Sequence, residues 1–400
     1  MKPLDLQSPE LHNNAHAVFK RLRERGPVAR ARFNRRGVYL ITRYADVDAL
    51  LAGDRLVKDP ANTTLGPGAP RIIDLPGPLK KLMTSMISVD DPDHRRLRRL
   101  VAKAFTPKTI ADLAPAMEQV AARQLQRLTE ARRGDLIAAF ALPFPVHVIT
   151  ELVGVPEADR PRFQRWVHDI THAPGLVAIF KILPAIWRFT RYIAQLAADK
   201  RRRPGPDLLS GLVHIEDSGE RISDDELVAM VFLLLTAGHE TTVSLIANGT
   251  LALLQHPDQL ADLRARPERL DLAVEELLRF DGPLLTTDPY YAREAFTLHG
   301  EAIPAGAVVL PAVLSANRDE SVFHDPDRLD LTRTPNKHLA FGKGLHHCIG
   351  APLARLEAKI ALRLLLEAAP QLRLAAAPAR HRYRSAAFLH RLEALPVELG

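Results

Sequence analysis

The segment from Asp224 to Gln255 constrains the fold most. Its apolar residues recur with helical spacing and no proline interrupts it. Ser223 stands where an N-cap belongs, and Glu226 three residues later completes a capping box. A helix of about 30 residues is far longer than the usual globular one. It needs partners along its whole length. Further helical patterns run over Asn14–Arg25, His94–Ala104, Ile110–Arg132, Pro257–Arg266, Leu270–Phe280 and Gly350–Ala368. Strand signals are few. Val28–Phe33 and Gly37–Thr42 flank Asn34-Arg35-Arg36 as a hairpin, and Phe296–Leu298, Val308–Pro311 and Leu395–Leu399 add short strands. No repeat or long linker divides the chain. The expectation is a mainly α protein with a small β region, one domain over residues 1–400.

The start of the chain lacks a signal-peptide pattern. No uninterrupted apolar run reaches the roughly 18–20 residues of a membrane span. The nearest, from Ala173 to Trp187, is broken by Lys181 and Pro184 and reads as an apolar lid or surface element. One cysteine precludes an intramolecular disulfide and suits a reducing compartment. A cytoplasmic chain without a transmembrane anchor is expected. The net charge of +7 does not point to nucleic acid, because 54 basic residues are spread along the chain among 47 acidic ones. The densest basic run is Arg95, Arg96, Arg98, Arg99 and Lys103, either a solvated helix face or a positive face for an acidic partner.

The lone cysteine lies in Phe341–Gly350, FGKGLHHCIG, immediately before a helical pattern. At a helix N-terminus the macrodipole and free backbone N–H groups favour thiolate over thiol. Gly344 and Gly350 permit tight turns and close backbone approach. Most lone cysteines are small buried hydrophobes, and His346 and His347 raise a zinc alternative. Adjacent residues point in different directions, however, and zinc sites normally space their ligands.

This segment resembles the cysteine-loop signature of the cytochrome P-450 family, F-x-x-G-x-x-x-C-x-G, at Phe341, Gly344, Cys348 and Gly350. Three more motifs match in order. Glu276 and Arg279 resemble the E-x-x-R pair, with Arg333 as the third member of a buried structural network. Ala237-Gly238-His239-Glu240-Thr241-Thr242 resembles the oxygen-activation motif, in which His239 occupies a variable position. His94 and Arg98 resemble H-x-x-x-R, which binds haem propionates. The resemblance covers nearly the whole chain and is greatest to soluble bacterial members.

It implies a single-domain P-450 fold with haem b between the long central helix and the cysteine loop with its following helix. Cys348 would be the axial thiolate and the metal ligand. Ala237 and Gly238 would border the haem, and Glu240 and Thr241 would deliver protons for dioxygen reduction. His346 would be a further propionate contact. Where bacterial members usually carry another propionate-binding arginine, this chain has Tyr290. The pocket would be lined by the loop around Ile72–Leu79, by Met86 and Ile87, the region near Leu176–Ile182, Leu233, Leu234, Ala237, Leu284, Leu285 and the segment around Phe388. That apolar lining suits a hydrophobic small molecule. Arg95, Arg96, Arg99, Lys103 and Lys343 would dock a ferredoxin or flavodoxin, reduced through its reductase by NAD(P)H. A monomeric monooxygenase is expected. The alternatives are a peroxide-driven peroxygenase, disfavoured because Glu240 and Thr241 are retained, and a non-catalytic haem-binding or sensor protein.

Overall fold

In the computed structural model the described residues are 3–72, 80, 82, 84–172, 179–216, 219–375, 381–386 and 388–399. Most of the Ile72–Leu79 loop, positions 173–178 within the apolar run, and Ala387 therefore lie outside them. Helices dominate and the sheets are small. The chain forms two compact units. One comprises Met1–Ile72, Ala121–Ala141 and Thr241–Gly400, and the other Ile73–Val120 and Leu142–Glu240.

Among the described residues the first unit holds every named strand. Its largest sheet orders Leu4–Asp5, Val28–Phe33, Arg36–Ile41, Val308–Pro311, Tyr290–Ala292 and Leu56–Val57 side by side. The hairpin turn is one residue tighter than its sequence suggests. Asn34 and Arg35 take positive φ (48° and 64°) and Arg36 already pairs with Phe33. Two left-handed central residues give a turn whose twist matches that of the strands. Buried Leu11, Phe19, Phe33, Leu40, Leu310 and Leu314 form part of the core under this sheet. Pro396–Glu398 pairs with both Arg373–Leu374 and Arg133–Asp135, so the expected C-terminal strand closes a three-stranded sheet. The helices Leu270–Asp281 and Ala351–Ala368 share a core of Leu277, Leu278, Ala358 and Leu362 with Leu245 of the long helix.

The long helix spans Asp224–Gln255, as its periodicity predicts. The capping box is formed: Ser223 N–H donates to Glu226 Oε2 at 2.9 Å, and Glu226 N–H to Ser223 Oγ at 3.3 Å. This helix is long and apolar enough to cross a bilayer, but 67% of its apolar window is buried inside the protein. It is a core helix. The segment expected as one helix from Ile110 to Arg132 is instead two, Pro107–Asp112 and Ala114–Ala131. Pro115 has no N–H to donate, so the first helix ends in a tightened turn with Leu113 N–H on Ile110 O.

The second unit is helical. Rings of Phe163, Trp166, Phe189, Tyr192 and Phe232 pack together, with Tyr192 donating to Asp159 at 2.8 Å. Arg160–His172 and Ile179–Arg202, which carry most of these rings, were not read as helices from the sequence. The apolar run ends inside the second of them, with Pro184 tolerated near its start.

Candidate active site

Backbone bonds shape the cysteine loop. Gly342 N–H donates to Leu339 O, His347 N–H to Gly344 O, and Cys348 N–H to Phe341 O at 2.9 Å. Gly342 and Gly344 both have φ of +68°. A Cβ on Gly344 would meet Leu51 O at 2.3 Å, so only glycine lets the loop lie against the helix Tyr44–Ala52. Gly350 caps the helix Ala351–Ala368. A Cβ there would sit 3.8 Å from Cys348 Sγ, in ordinary van der Waals contact. Cys348 is exposed, which excludes the reading as a buried hydrophobe. Among the described residues it joins no convergent set of three zinc-type side chains. An accessible thiol at the positive end of an 18-residue helix is the donor a thiolate-ligated haem requires.

Glu276 and Arg279 have side chains wholly removed from solvent, and the pair is bidentate at 2.7 and 2.8 Å. Arg279 also donates to the carbonyls of Asn317, Pro326 and Arg328. Arg333 Nε lies 3.2 Å from Glu276 Oε2, and Asp330 N–H and Asn336 Nδ2 also donate to the Glu276 carboxylate. The expected three-member network is therefore present and larger. A parallel set was missed in the sequence. Glu275, next to Glu276, takes two bonds from Arg355 (2.6 and 2.8 Å) and one from His338 (3.1 Å). The Arg355 guanidinium in turn lies 4.5 Å over the Phe341 ring. Arg355 is seven residues after Cys348, so helical spacing alone could have flagged it.

Tyr290 is buried on its strand, with its ring edge-on to His346 at 6.0 Å. The sequence showed only the loss of an arginine there. The structure brings up a cation: Lys58 Nζ sits 3.6 Å over the Tyr290 ring and donates to Asp288 O and Pro289 O at 3.3 and 3.4 Å. Lys58 is only 7% exposed. Pairing of Leu56–Val57 with Tyr291 and Ala292 places it there, a non-local contact no motif announced.

On the long helix Leu233, Leu234, Gly238, Glu240 and Thr241 are half-buried and Ala237 is exposed, while Leu235, Thr242 and Val243 are buried. This open strip bears the residues expected at the cofactor. Gly238 also serves packing, since a Cβ would touch Ile149 Cδ1 at 3.4 Å. His239 is buried and bonded to Leu235 O, a packed histidine. Thr242 hydrogen-bonds Glu357 of the helix after the cysteine, and burial raises that carboxyl well above its ordinary range, favouring its uncharged form. Among the pocket expectations, Met86 is buried and Ile87 and Leu284 are half-buried. Leu285 instead packs in the core under the sheet, because its N–H is tied to Phe388 O and its side chain joins Phe33 and Leu310. Phe388 lies against Phe33 at 5.1 Å.

In the second unit His94 is buried near the start of the helix Asp93–Ala104. Its pKa is lowered by burial first and by the charge of Arg98 next. The two side chains expected to hold a carboxylate thus feel each other. The expected docking cations are largely engaged within the chain: Arg95 with Asp91, Arg96 with Glu226, Arg99 with Glu220, and in the first unit Lys343 with Asp48. Arg96 is only 21% exposed and acts as a clamp to the helix start at Glu226.

A family model described as Cytochrome P450 matches residues 4–368. The polyketide biosynthesis cytochrome P450 PksS of Bacillus subtilis (strain 168) is 40% identical over 396 residues, covering 98% of this chain and 97% of that protein. Its solved structure superposes with a TM-score of 0.92 over 99% of both chains. Cytochrome P450 107B1 of Saccharopolyspora erythraea is 43% identical over 389 residues, covering 96% and 95%. P450BioI, solved in complex with a hexadec-9Z-enoic acid ligated acyl carrier protein, is 34% identical with a TM-score of 0.87, covering 98% and 100%. The chain belongs to the cytochrome P450 family, haem-iron monooxygenases of the oxidoreductase class.

Glu275 links this site to acid stability. Burial pushes its carboxyl up, but the bonds from Arg355 and His338 outweigh that and hold it at about 2, below the ordinary 4.5. A depressed pKa stabilises the fold above the ordinary value, and the contribution is lost as pH falls from 4.5 through about 2. Glu275→Gln is expected to flatten the stability profile across that window, measured by urea unfolding at a series of pH values. An unchanged acid slope would show that the contact contributes nothing.

Proposed function

We propose that this protein inserts one oxygen atom of dioxygen into a C–H or C=C bond of a hydrophobic, polyketide-type small molecule, using electrons from an external ferredoxin-type carrier. The observation that carries the reading is the accessible Cys348 sulfur at a helix start, in a chain whose long helix presents Glu240 and Thr241 on an open apolar strip. When bound, haem would supply a thiolate-ligated iron that binds and reduces dioxygen. For hydroxylation the balance is R–H, O2, two electrons and two protons to R–OH and water. The chain's residues would handle the two protons, with the Glu240 carboxyl exchanging them with solvent and the Thr241 hydroxyl donating at the oxygen atom that leaves as water.

Cofactor carboxylates would be held by His346, Tyr290 and Lys58, with His94 and Arg98 the further pair that the H-x-x-x-R resemblance assigns to that role. Lys58 supplies the charge that Tyr290 lacks. Ala237 would leave room for the cofactor, while Leu233 and Leu234 would offer the substrate an apolar wall. The polyketide-biosynthesis relative supports the substrate class. The carrier would approach the helix Asp93–Ala104, where exposed Arg95 and Arg99 exchange their internal carboxylates for those of the partner. A hydrogen peroxide-driven reaction would not need Thr241.

Two variants test these roles. Thr241→Ala should keep consuming dioxygen with a ferredoxin, its reductase and substrate, while product formed per dioxygen falls at least about tenfold and peroxide accumulates. Undiminished coupling, or turnover of the unaltered protein with peroxide and none with dioxygen plus a redox partner, would contradict the proton role. Lys58→Met should lose haem to an excess of apomyoglobin roughly tenfold faster, with Lys58→Arg restoring retention. A rate equal to that of the unaltered protein would remove Lys58 from the cofactor site.

A further inference from the structure

His16, Asp281 and His390 converge from distant parts of the sequence. His16 Nε2 lies 2.7 Å and His390 Nε2 3.0 Å from the same oxygen, Asp281 Oδ1. The other carboxylate oxygen accepts from Tyr383 Oη at 3.1 Å, and the Tyr383 ring stacks on His390 at 4.1 Å and 6°. Asn248 Nδ2 donates to Asp281 O and His390 O, at 3.2 and 2.9 Å, and fixes both backbones. The three ligand-type atoms lie within 4.8 Å of one another. His390 is 2% exposed, whereas the His16 side chain is 31% exposed and leaves a route from solvent.

We infer that His16, Asp281 and His390 form a zinc-type divalent cation site that clips the N-terminal helix and the C-terminal segment to the end of the helix Leu270–Asp281. Two imidazole nitrogens and a carboxylate are a borderline donor set suited to zinc, with a fourth position left to water. Zinc bonds of about 2.0–2.1 Å in tetrahedral array set ligands about 3.3 Å apart. The rings therefore withdraw by only a few tenths of an ångström. Each imidazole moves its proton from Nε2 to Nδ1. Both Nδ1 atoms are buried and neither has a partner among the described residues, so none of these holds the present tautomer. Arg318 competes as a positive charge, so the affinity is below that of a thiolate-rich site.

The clip has a consequence for the rest of the molecule. Leu389 bridges Leu284, and Phe388 O accepts from Leu285 N–H, so a fixed His390 also fixes these residues. The test uses haem-loaded protein, stripped with EDTA and titrated with zinc chloride alone. After gel filtration, elemental analysis is expected to find one zinc per chain beyond any retained by His16→Gln. The thermal midpoint should rise by roughly 3 °C at a hundredfold excess over Kd. His16→Gln can still bond Asp281, so it should fold, yet it should lose both effects. His324→Gln, altered at a fully exposed histidine, should keep them. Equal zinc in the unaltered protein and His16→Gln, or no thermal shift, would leave the cluster a hydrogen-bond network and overturn the proposal.

Discussion

The ion pair between Glu276 and Arg279 is the interaction on which the site-bearing unit depends. Taking two charges wholly out of water costs several kcal/mol per ion, and only complete hydrogen bonding offsets that cost. Here the offset is supplied from elsewhere in the chain. Asn317, Pro326, Arg328, Asp330, Arg333 and Asn336 all contribute donors or acceptors. An irregular stretch with little secondary structure is thereby held to a helix. The same helix gives Glu275 to Arg355, which reaches the Phe341 ring before the cysteine. The cysteine loop is placed by charge satisfaction on one side and by the Gly344–Leu51 contact on the other.

That scaffold leaves one polarisable atom exposed where most cysteines are buried. Around it the polar groups are divided by task. Glu357 is buried and bonded to Thr242, so it joins the helix after the cysteine to the long helix, and its burial favours the uncharged carboxyl. Positive charge is supplied over the Tyr290 ring by Lys58 rather than by an arginine at that position. A buried lysine over a tyrosine ring combines a cation–π contact with two carbonyl acceptors, which offsets part of its desolvation.

Much of this was legible in the sequence, for reasons that differ by residue. The long helix was readable because periodicity and capping are local, and its limits at Asp224 and Gln255 came out as expected. The cysteine loop was readable because Phe341, Gly344, Cys348 and Gly350 must keep fixed spacing to make one turn. Pro115 was a local signal overlooked, and it splits a helix that periodicity alone had joined. Lys58 was not readable, because it reaches Tyr290 through a strand pairing between distant segments. Leu285 was assigned to a cavity wall by analogy, and the sheet core claims it. The arginines of the helix Asp93–Ala104 looked like a free positive face, yet their carboxylate partners are up to 130 residues away. Charge along a helix does not reveal which charges are already spent on the fold.

The most direct measurement is the carbon monoxide difference spectrum of the reduced, haem-reconstituted protein beside Cys348→Ala. The account predicts a thiolate-type band in the unaltered protein and its loss in the variant, with haem content determined separately so that absence of haem is not mistaken for absence of the ligand. A thiolate-type band that persists in Cys348→Ala would contradict the assignment of the only sulfur ligand this chain's single cysteine can provide.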